Sequence, residues 1–275
     1  MQTYGQIKMI KKIFKFIIEY VLSLMLVIRA YTLGIFIKRY RNLIHIISNH
    51  SKIPEIFEKK PEPLKYIIRQ KEANEIVSCS NIPIVFPAGS TGNVSTLEIL
   101  ILNNMIKEKN PKRILEIGTF DGRTTLNFAV NSSPETDIFT LDLPQDQEIN
   151  AKLNLEDSDR IYIRKSESGS LFRNYEHPAV KKIIQLYGDS ANFNFQGYNN
   201  SMDFIFIDGS HHYEYVLKDT ETAMKLLRDQ KGTIVWHDYL LYWSGVVSAL
   251  NELYQQHPFN KMRHIEKTSL VYLEL

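Results

Sequence analysis

Five residues in the second half of the chain have the types and spacing to move a proton: Asp208, His211, His212, His237 and Asp238. Asp208 closes the apolar run Met202–Gly209, and His237 and Asp238 close the run Gly232–Asp238. If those runs are adjacent parallel strands, the two carboxylates converge on one point. Two carboxylates there repel unless a proton or a cation lies between them. A hard ion such as Mg²⁺ would relieve the repulsion, and would lower the pKa of a hydroxyl bound to it. That makes Asp208 and Asp238 the candidate metal ligands. The metal-free route uses His211, three residues after Asp208, as a general base with an ordinary pKa of about 6.5. Asp208 and His211 are therefore the candidate catalytic residues. The plainer alternative has His211 and His212 capping the next helix and His237 filling the sheet edge. For His212 and His237 the two readings stand level. Trp236 and Trp243 read as packing rather than as substrate platforms, and Tyr239 as a residue that could line the pocket.

These groups need a scaffold, and its first member is the stretch Arg113–Gly122. Ile114, Leu115 and Ile117 make an apolar run too short for a helix, stopped at Gly118 and followed by helical spacing at Thr125, Phe128 and Ala129. Such a pattern reads as a buried parallel strand entering a helix. Gly118 and Gly122 permit backbone conformations and close approach that a Cβ forbids. A ligand could then lie over the strand tip, against the first amides of the helix. Glu116, near that tip, could accept hydrogen bonds from it. A second strand, Asp137–Asp142, ends in an acid, where doubly wound folds hold ribose hydroxyls. After a helix read over Ala179–Ile184, another strand, Ile183–Leu186, runs into Tyr187-Gly-Asp-Ser190. Asp189 at that tip could accept a ligand N–H or cap the next turn. Thr119 and Ser190 stand in the same turns, and complete a candidate cofactor set of Glu116, Gly118, Thr119, Gly122, Asp142, Asp189, Ser190 and Asp208.

Three ordered segments, Leu115–Thr125, Ile207–Asp219 and Gly232–Tyr239, carry LEIGT, IDG-x-H-x-YE and HDY signatures. With them the chain resembles the class I S-adenosylmethionine-dependent methyltransferases, over about residues 85 to 275. The resemblance implies a Rossmann-like doubly wound α/β fold, with a mostly parallel seven-stranded sheet and a C-terminal antiparallel hairpin, Met262–Ile265 with Ser269–Leu273. It implies S-adenosylmethionine as cofactor, Asp189 at the adenine amino group, and Gly89–Asn93 as a flank of the pocket. It also implies methyl transfer, at oxygen, to a small molecule or a sugar-containing (glycan-precursor) acceptor. Relatives with a metal site often have Asp-Asp where this chain has His237-Asp238, and imidazole is the poorer ligand for Mg²⁺. The rivals are a Rossmann-fold oxidoreductase, which would want Gly-x-Gly-x-x-Gly where this loop reads Gly118-Thr-Phe-Asp-Gly122, and a scaffold protein that has lost transfer.

The composition, 44% hydrophobic and 23% charged over 275 residues, suits one large globular domain. A single cysteine, Cys79, excludes internal disulfides and favours a reducing cytoplasm. Residues 1–60 hold 11 Lys/Arg against 3 Asp/Glu, a net +8, and the remainder holds 22 against 28, a net −6. The acidic body argues against a nucleic-acid groove. The basic arm surrounds the apolar run Ile17–Ile37, interrupted by Glu19 and Arg29. That run is long enough to span a bilayer, though Arg29 would cost roughly 2.5–3.5 kcal/mol. A helix lying in the interface fits the same residues, as does one packed on the domain or in a homo-oligomer contact. The domain reading is residues 1–50 as this segment, 51–92 as a Pro-rich connector with a helix over Leu64–Val77, and 93–275 as the catalytic domain. Between the second and third strands, Asp146, Glu148, Glu156, Asp157 and Asp159 read as a solvated face, and Arg160–Pro178 as a cap over the site.

Overall fold

A computed structural model describes Met25 and residues 63–78, 81–144, 151–155, 157–165 and 167–275. Two units separate, Met1–Glu62 and Pro63–Leu275, and only the second is described in detail. Apart from Met25, the run Ile17–Ile37 lies outside the described residues, as do Asp146, Glu148 and Glu156. Among the described residues no helix is long and apolar enough to cross a membrane.

In chain order the elements are β1 (Gln70–Lys71), α1 (Thr96–Lys109), β2 (Arg113–Ile117), α2 (Arg123–Asn131), β3 (Asp137–Asp142), α3 (Asp157–Lys165), α4 (Ser170–Arg173), β4 (Ile183–Tyr187), β5 (Phe204–Ile207), α5 (Tyr213–Leu226), β6 (Thr233–Trp236), α6 (Ser244–Tyr254), β7 (Arg263–Ile265) and β8 (Val271–Glu274). They form a mixed sheet of order β1-β7-β8-β6-β5-β2-β3-β4. Only β8 runs against its neighbours, pairing antiparallel with both β6 and β7. The Rossmann-like α/β arrangement and the terminal hairpin are thus present, with eight strands rather than seven.

The extra strand corrects one expectation. No α-helix covers Leu64–Val77; the stretch is extended, with Gln70–Lys71 paired parallel to β7 and a single 3₁₀ turn at Ala73–Glu75. Ile68 is buried in the core, so side-chain burial and edge pairing override a helical pattern here. The segment read as a connector therefore supplies a sheet edge. Helix was also expected over Ala179–Ile184. The chain makes only a 3₁₀ turn, Pro178–Lys182, before extending into β4.

Strand alternation divides the core. Leu115, Ile117, Phe139, Leu141, Ile205 and Ile207 face one side, where α5 and α6 cover them. Ile114, Ile138, Phe204 and Phe206 face the other, beneath α1 and α2. The chain runs β2 to β3 to β4 on one flank, then returns to place β5 on the other side of β2. In open α/β sheets ligands bind beyond the carboxyl ends of the strands at such a switch point.

Candidate active site

Above that switch point lies a cavity of about 530 Å³. Of the residues singled out in the sequence, Gly118, Thr119, Asp142, Asp189, Ser190, Asp208, His211, His237 and Asp238 line it, and so do Gly92 and Asn93 from the flanking loop. A Cβ on Gly118, whose φ is +98°, would lie 2.0 Å from the Asp208 carbonyl oxygen. Glycine there lets the tips of β2 and β5 meet. Asp142 ends β3 with its carboxyl partly buried; burial pushes its pKa up to about 6, against hydrogen bonds from backbone groups of Leu143, Thr119 and Phe120.

Two of the expected cofactor residues stand elsewhere. Glu116 is fully buried and does not line the cavity. Alternation sends it with Ile114 to the α2 side of the sheet, where its Oε2 accepts from the hydroxyls of Thr140 (2.6 Å) and Thr125. Burial drives its pKa up to about 8. Gly122 is the left-handed N-cap of α2, and the space of its missing Cβ is taken by the Phe172 ring, not by a ligand. Asp189 does line the cavity, but also caps its own turn. Its Oδ1 accepts from Ala191 N and the Tyr215 hydroxyl, each at 3.0 Å, and its Oδ2 from Lys152 N at 2.6 Å.

At the β5 and β6 tips the acids and imidazoles form one network. His237 Nδ1 lies 2.8 Å from Asp208 Oδ1 and 3.2 Å from Asp238 Oδ2. Its Nε2 faces Glu98 Oε2 at 3.4 Å. Glu98 belongs to the capping box that starts α1 with Ser95, and its other oxygen accepts from Ser269 N and Oγ. His211 Nε2 is 2.8 Å from the same Asp238 Oδ2, and its Nδ1 bonds to Asp159 Oδ1. Burial would lower the pKa of His211, but the hydrogen bonds to Asp159 and Asp238 outweigh it and raise the pKa to about 9. Burial acts the same way on His237, and Asp208 and Asp238 overcome it, holding the ring well above the ordinary histidine value. Asp238 is correspondingly held low: burial favours its neutral form, and the two imidazoles prevail. Asp238 also has a φ of 60°, a left-handed conformation that aspartate tolerates better than most residues.

Asp208, His237 and Asp238 bring donor atoms within 4.8 Å of one another, the geometry a metal would need. One oxygen of Asp238, Oδ2, already meets both His211 and His237. A divalent cation at that oxygen would have to compete with both imidazoles. As arranged, this set suits a buried proton better than Mg²⁺, and the counter-charge expected of a metal is supplied by histidine.

Three residues change places relative to the sequence reading. Tyr239, expected to border the pocket, is fully buried, with its hydroxyl donating to Asn251 Oδ1 at 2.5 Å. Trp243, expected to be packing, lines the cavity and stacks on His211, with ring centroids 3.6 Å apart and planes 10° apart. Asp159, taken for a solvated acid, is buried against His211. Its helical spacing with Tyr162 and Ile163, which also line the cavity, is the signal that would have found it. Trp236 is packing as expected, its Nε1 donating to Thr220 Oγ1 at 2.9 Å. His212 stands outside the cavity lining and supplies no side-chain cap to α5.

The loop on the far side is fastened by α2. Arg123 is buried, and its guanidinium donates to the carbonyls of Phe86 (2.6 Å), Val94 (2.6 Å) and Pro87 (3.2 Å). Asn127 pairs with Val85 through both its amide nitrogen and its oxygen, at 2.9 Å each. These bonds set Gly92, Asn93 and Val94 at the cavity wall.

A doubly wound sheet with a cavity over its switch point and acids at its strand tips defines a nucleotide-type ligand-binding enzyme scaffold. Residues 115–239 match the family described as a methyltransferase domain. The chain is similar to the O-methyltransferase TomG of Streptomyces achromogenes, solved with S-adenosylmethionine, at 15% identity over 66% of this chain and 81% of that one, with a TM-score of 0.47. It is also similar to an O-methyltransferase of Bacillus cereus solved with S-adenosylhomocysteine, at 16% identity over 68% and 84%, TM-score 0.45. A third is the methyltransferase PaMTH1 of Podospora anserina, also solved with S-adenosylhomocysteine, at 16% identity over 66% and 80%, TM-score 0.45.

Proposed function

We propose that this protein transfers the methyl group of S-adenosylmethionine to a hydroxyl of a small-molecule or sugar-containing acceptor, without a divalent metal. The observation that carries the reading is that Gly118 and Asp142 line one cavity together with Asp208, His211 and Asp238. When bound, the cofactor would supply a methyl activated on a sulfonium, its transfer to the acceptor oxygen leaving a thioether. Gly118 would let the cofactor lie against the β2 tip, the ionised carboxylate of Asp142 would hold the ribose hydroxyls, and Asp189 and Ser190 would border the base.

Asp208 and Asp238 accept hydrogen bonds from the acceptor hydroxyl and hold its oxygen in line, and positioning of this kind supplies much of the rate. As the new C–O bond forms, the hydroxyl proton becomes strongly acidic. It leaves through Asp238 to Nε2 of His211 when that ring is neutral. His237 stays protonated between the two carboxylates and keeps both of them ionised.

An oxidoreductase is disfavoured by the Gly118–Gly122 loop, and a scaffold by the acids Asp142, Asp208 and Asp238 lining the cavity. Calorimetry separates them: S-adenosylhomocysteine should bind, and stronger binding of NAD would sink the reading. Comparison of metabolites between a deletion strain and its parent should then reveal the acceptor as an accumulated, unmethylated hydroxyl compound.

A further inference from the structure

We propose that Asp159 is a positioning residue for the transfer site, delivered by the segment inserted between β3 and β4. This rests on the methyl-transfer reading above, and gives the insertion a part in the chemistry beyond covering the cavity. Asp159 lies on α3 and is almost completely buried. One of its oxygens accepts from Ser210 Oγ at 2.6 Å and from His211 N at 3.2 Å. The other meets His211 Nδ1. A single carboxylate thus holds both the backbone and the ring of the residue that receives the proton.

The His211 ring has three further neighbours, one of them the tilted Tyr162 ring with its centroid 6.4 Å away. Trp243 covers one face, and Asp238 stands at Nε2. Stacking fixes the plane of the ring but not which nitrogen points where, since a half-turn about χ2 exchanges the two sides within that plane. Asp159 removes the ambiguity. With Nδ1 held from α3, Nε2 is the nitrogen left for Asp238 and the cavity. A carboxylate that orients a catalytic imidazole through its second nitrogen is a recurrent device of proton-transfer sites. Here the orienting acid comes from an element outside the strand tips that supply the rest.

The stacked pair offers a readout that a purely structural role would not move. A protonated imidazole pressed on an indole quenches its emission. At pH 5.5 an unrestrained histidine is still mostly protonated, its ordinary pKa being about 6.5. Tryptophan emission should therefore be low in the wild-type protein and higher in H211A. D159A should recover most of the way to the H211A level, because the freed ring leaves Trp243. D159N, which keeps a hydrogen-bond acceptor, should stay near the wild type. D159A that remains as quenched as the wild type overturns the proposal. If D159A fails to fold, ¹⁵N imidazole spectra of D159N carry the test: the Nδ1 resonance of His211 should move when the carboxylate charge is removed, and an unmoved resonance overturns the proposal. S-adenosylhomocysteine binding is measured alongside. Its absence in the wild-type protein would sink the methyl-transfer reading, while the emission series would still decide the role of Asp159.

Discussion

His237 points its Nδ1 at Asp208 from 2.8 Å, with Asp238 on the same nitrogen at 3.2 Å. The two acids at the strand tips therefore share a protonated ring where a metal was expected. Transfer should survive excess chelator unchanged, and elemental analysis of the active protein should find no stoichiometric divalent ion. Loss of activity on chelation, restored by one particular cation, would show that the ring gives way to a metal.

His211 sets the pH dependence. It can take a proton only when neutral, and its pKa is raised to about 9. The rate of transfer should therefore climb with pH through that value rather than level off near 7. H211A should lower kcat by about 10²–10⁴-fold. A rate flat from pH 7 to 9.5 would show that His211 stays an imidazolium and that the carboxylates alone receive the proton.

Asp142 is the test of cofactor binding. Hydrogen bonds to a charged group contribute about 1.5–3 kcal/mol, so D142A should weaken S-adenosylhomocysteine binding by roughly ten- to a hundredfold. The carboxyl titrates at about 6, and the ionised form is the better acceptor. Wild-type affinity should rise between pH 5 and 7, and that of D142A should not. Calorimetry at both pH values checks both points.

Glu116 should shape stability rather than binding. Its pKa is about 8 in the fold against 4.5 ordinarily. Below the ordinary value both states are protonated, and Glu116 makes no difference. As pH rises, the unfolded chain ionises first and stability is lost, until the folded form ionises too at about 8. Glutamine cannot ionise, so the melting temperature of E116Q relative to the wild type should rise from pH 5 to pH 8. Each 1 kcal/mol would appear as roughly 2–4 °C in a domain of this size. A difference that stays flat with pH would show that Glu116 is not neutral in the fold.

The run Ile17–Ile37 with its basic flanks predicts attachment to anionic membranes. Liposomes containing phosphatidylserine should float the full chain and release a version beginning near residue 50. High salt should loosen a surface helix held partly by lysines and leave a spanning one in place. A full-length protein that never floats would assign the run to packing.

The strand tips were legible because a buried parallel strand is an unbroken apolar run, and whatever polar residue ends it must lie at the carboxyl edge. Gly118, Asp142, Asp208 and Asp238 came from that logic alone. Glu116 was misplaced although its own strand held the answer: it shares the parity of Ile114, and two-residue alternation turns it away from the cavity. Tyr239 and Trp243 exchanged roles because Asp238 adopts a left-handed turn, and no periodicity carries through such a residue. Asp159 stayed hidden for a different reason. It sits in a polar stretch where its helical spacing with Tyr162 and Ile163 is the one sign that sets it apart from its solvated neighbours, and its partner lies 52 positions away.

The contact between Gly118 and the Asp208 carbonyl has a thermodynamic side. With no Cβ between them, the tips of β2 and β5 form one rigid joint, and close-packed interiors transmit small displacements rather than absorb them. In the proposed reading the cofactor lies on the β2 side of that joint and the acceptor on the β5 side. Occupancy of either end should alter affinity at the other, and linkage requires the factor to be the same in both directions. The coupling between the two ligands would then trace to a single missing methyl-sized group at position 118.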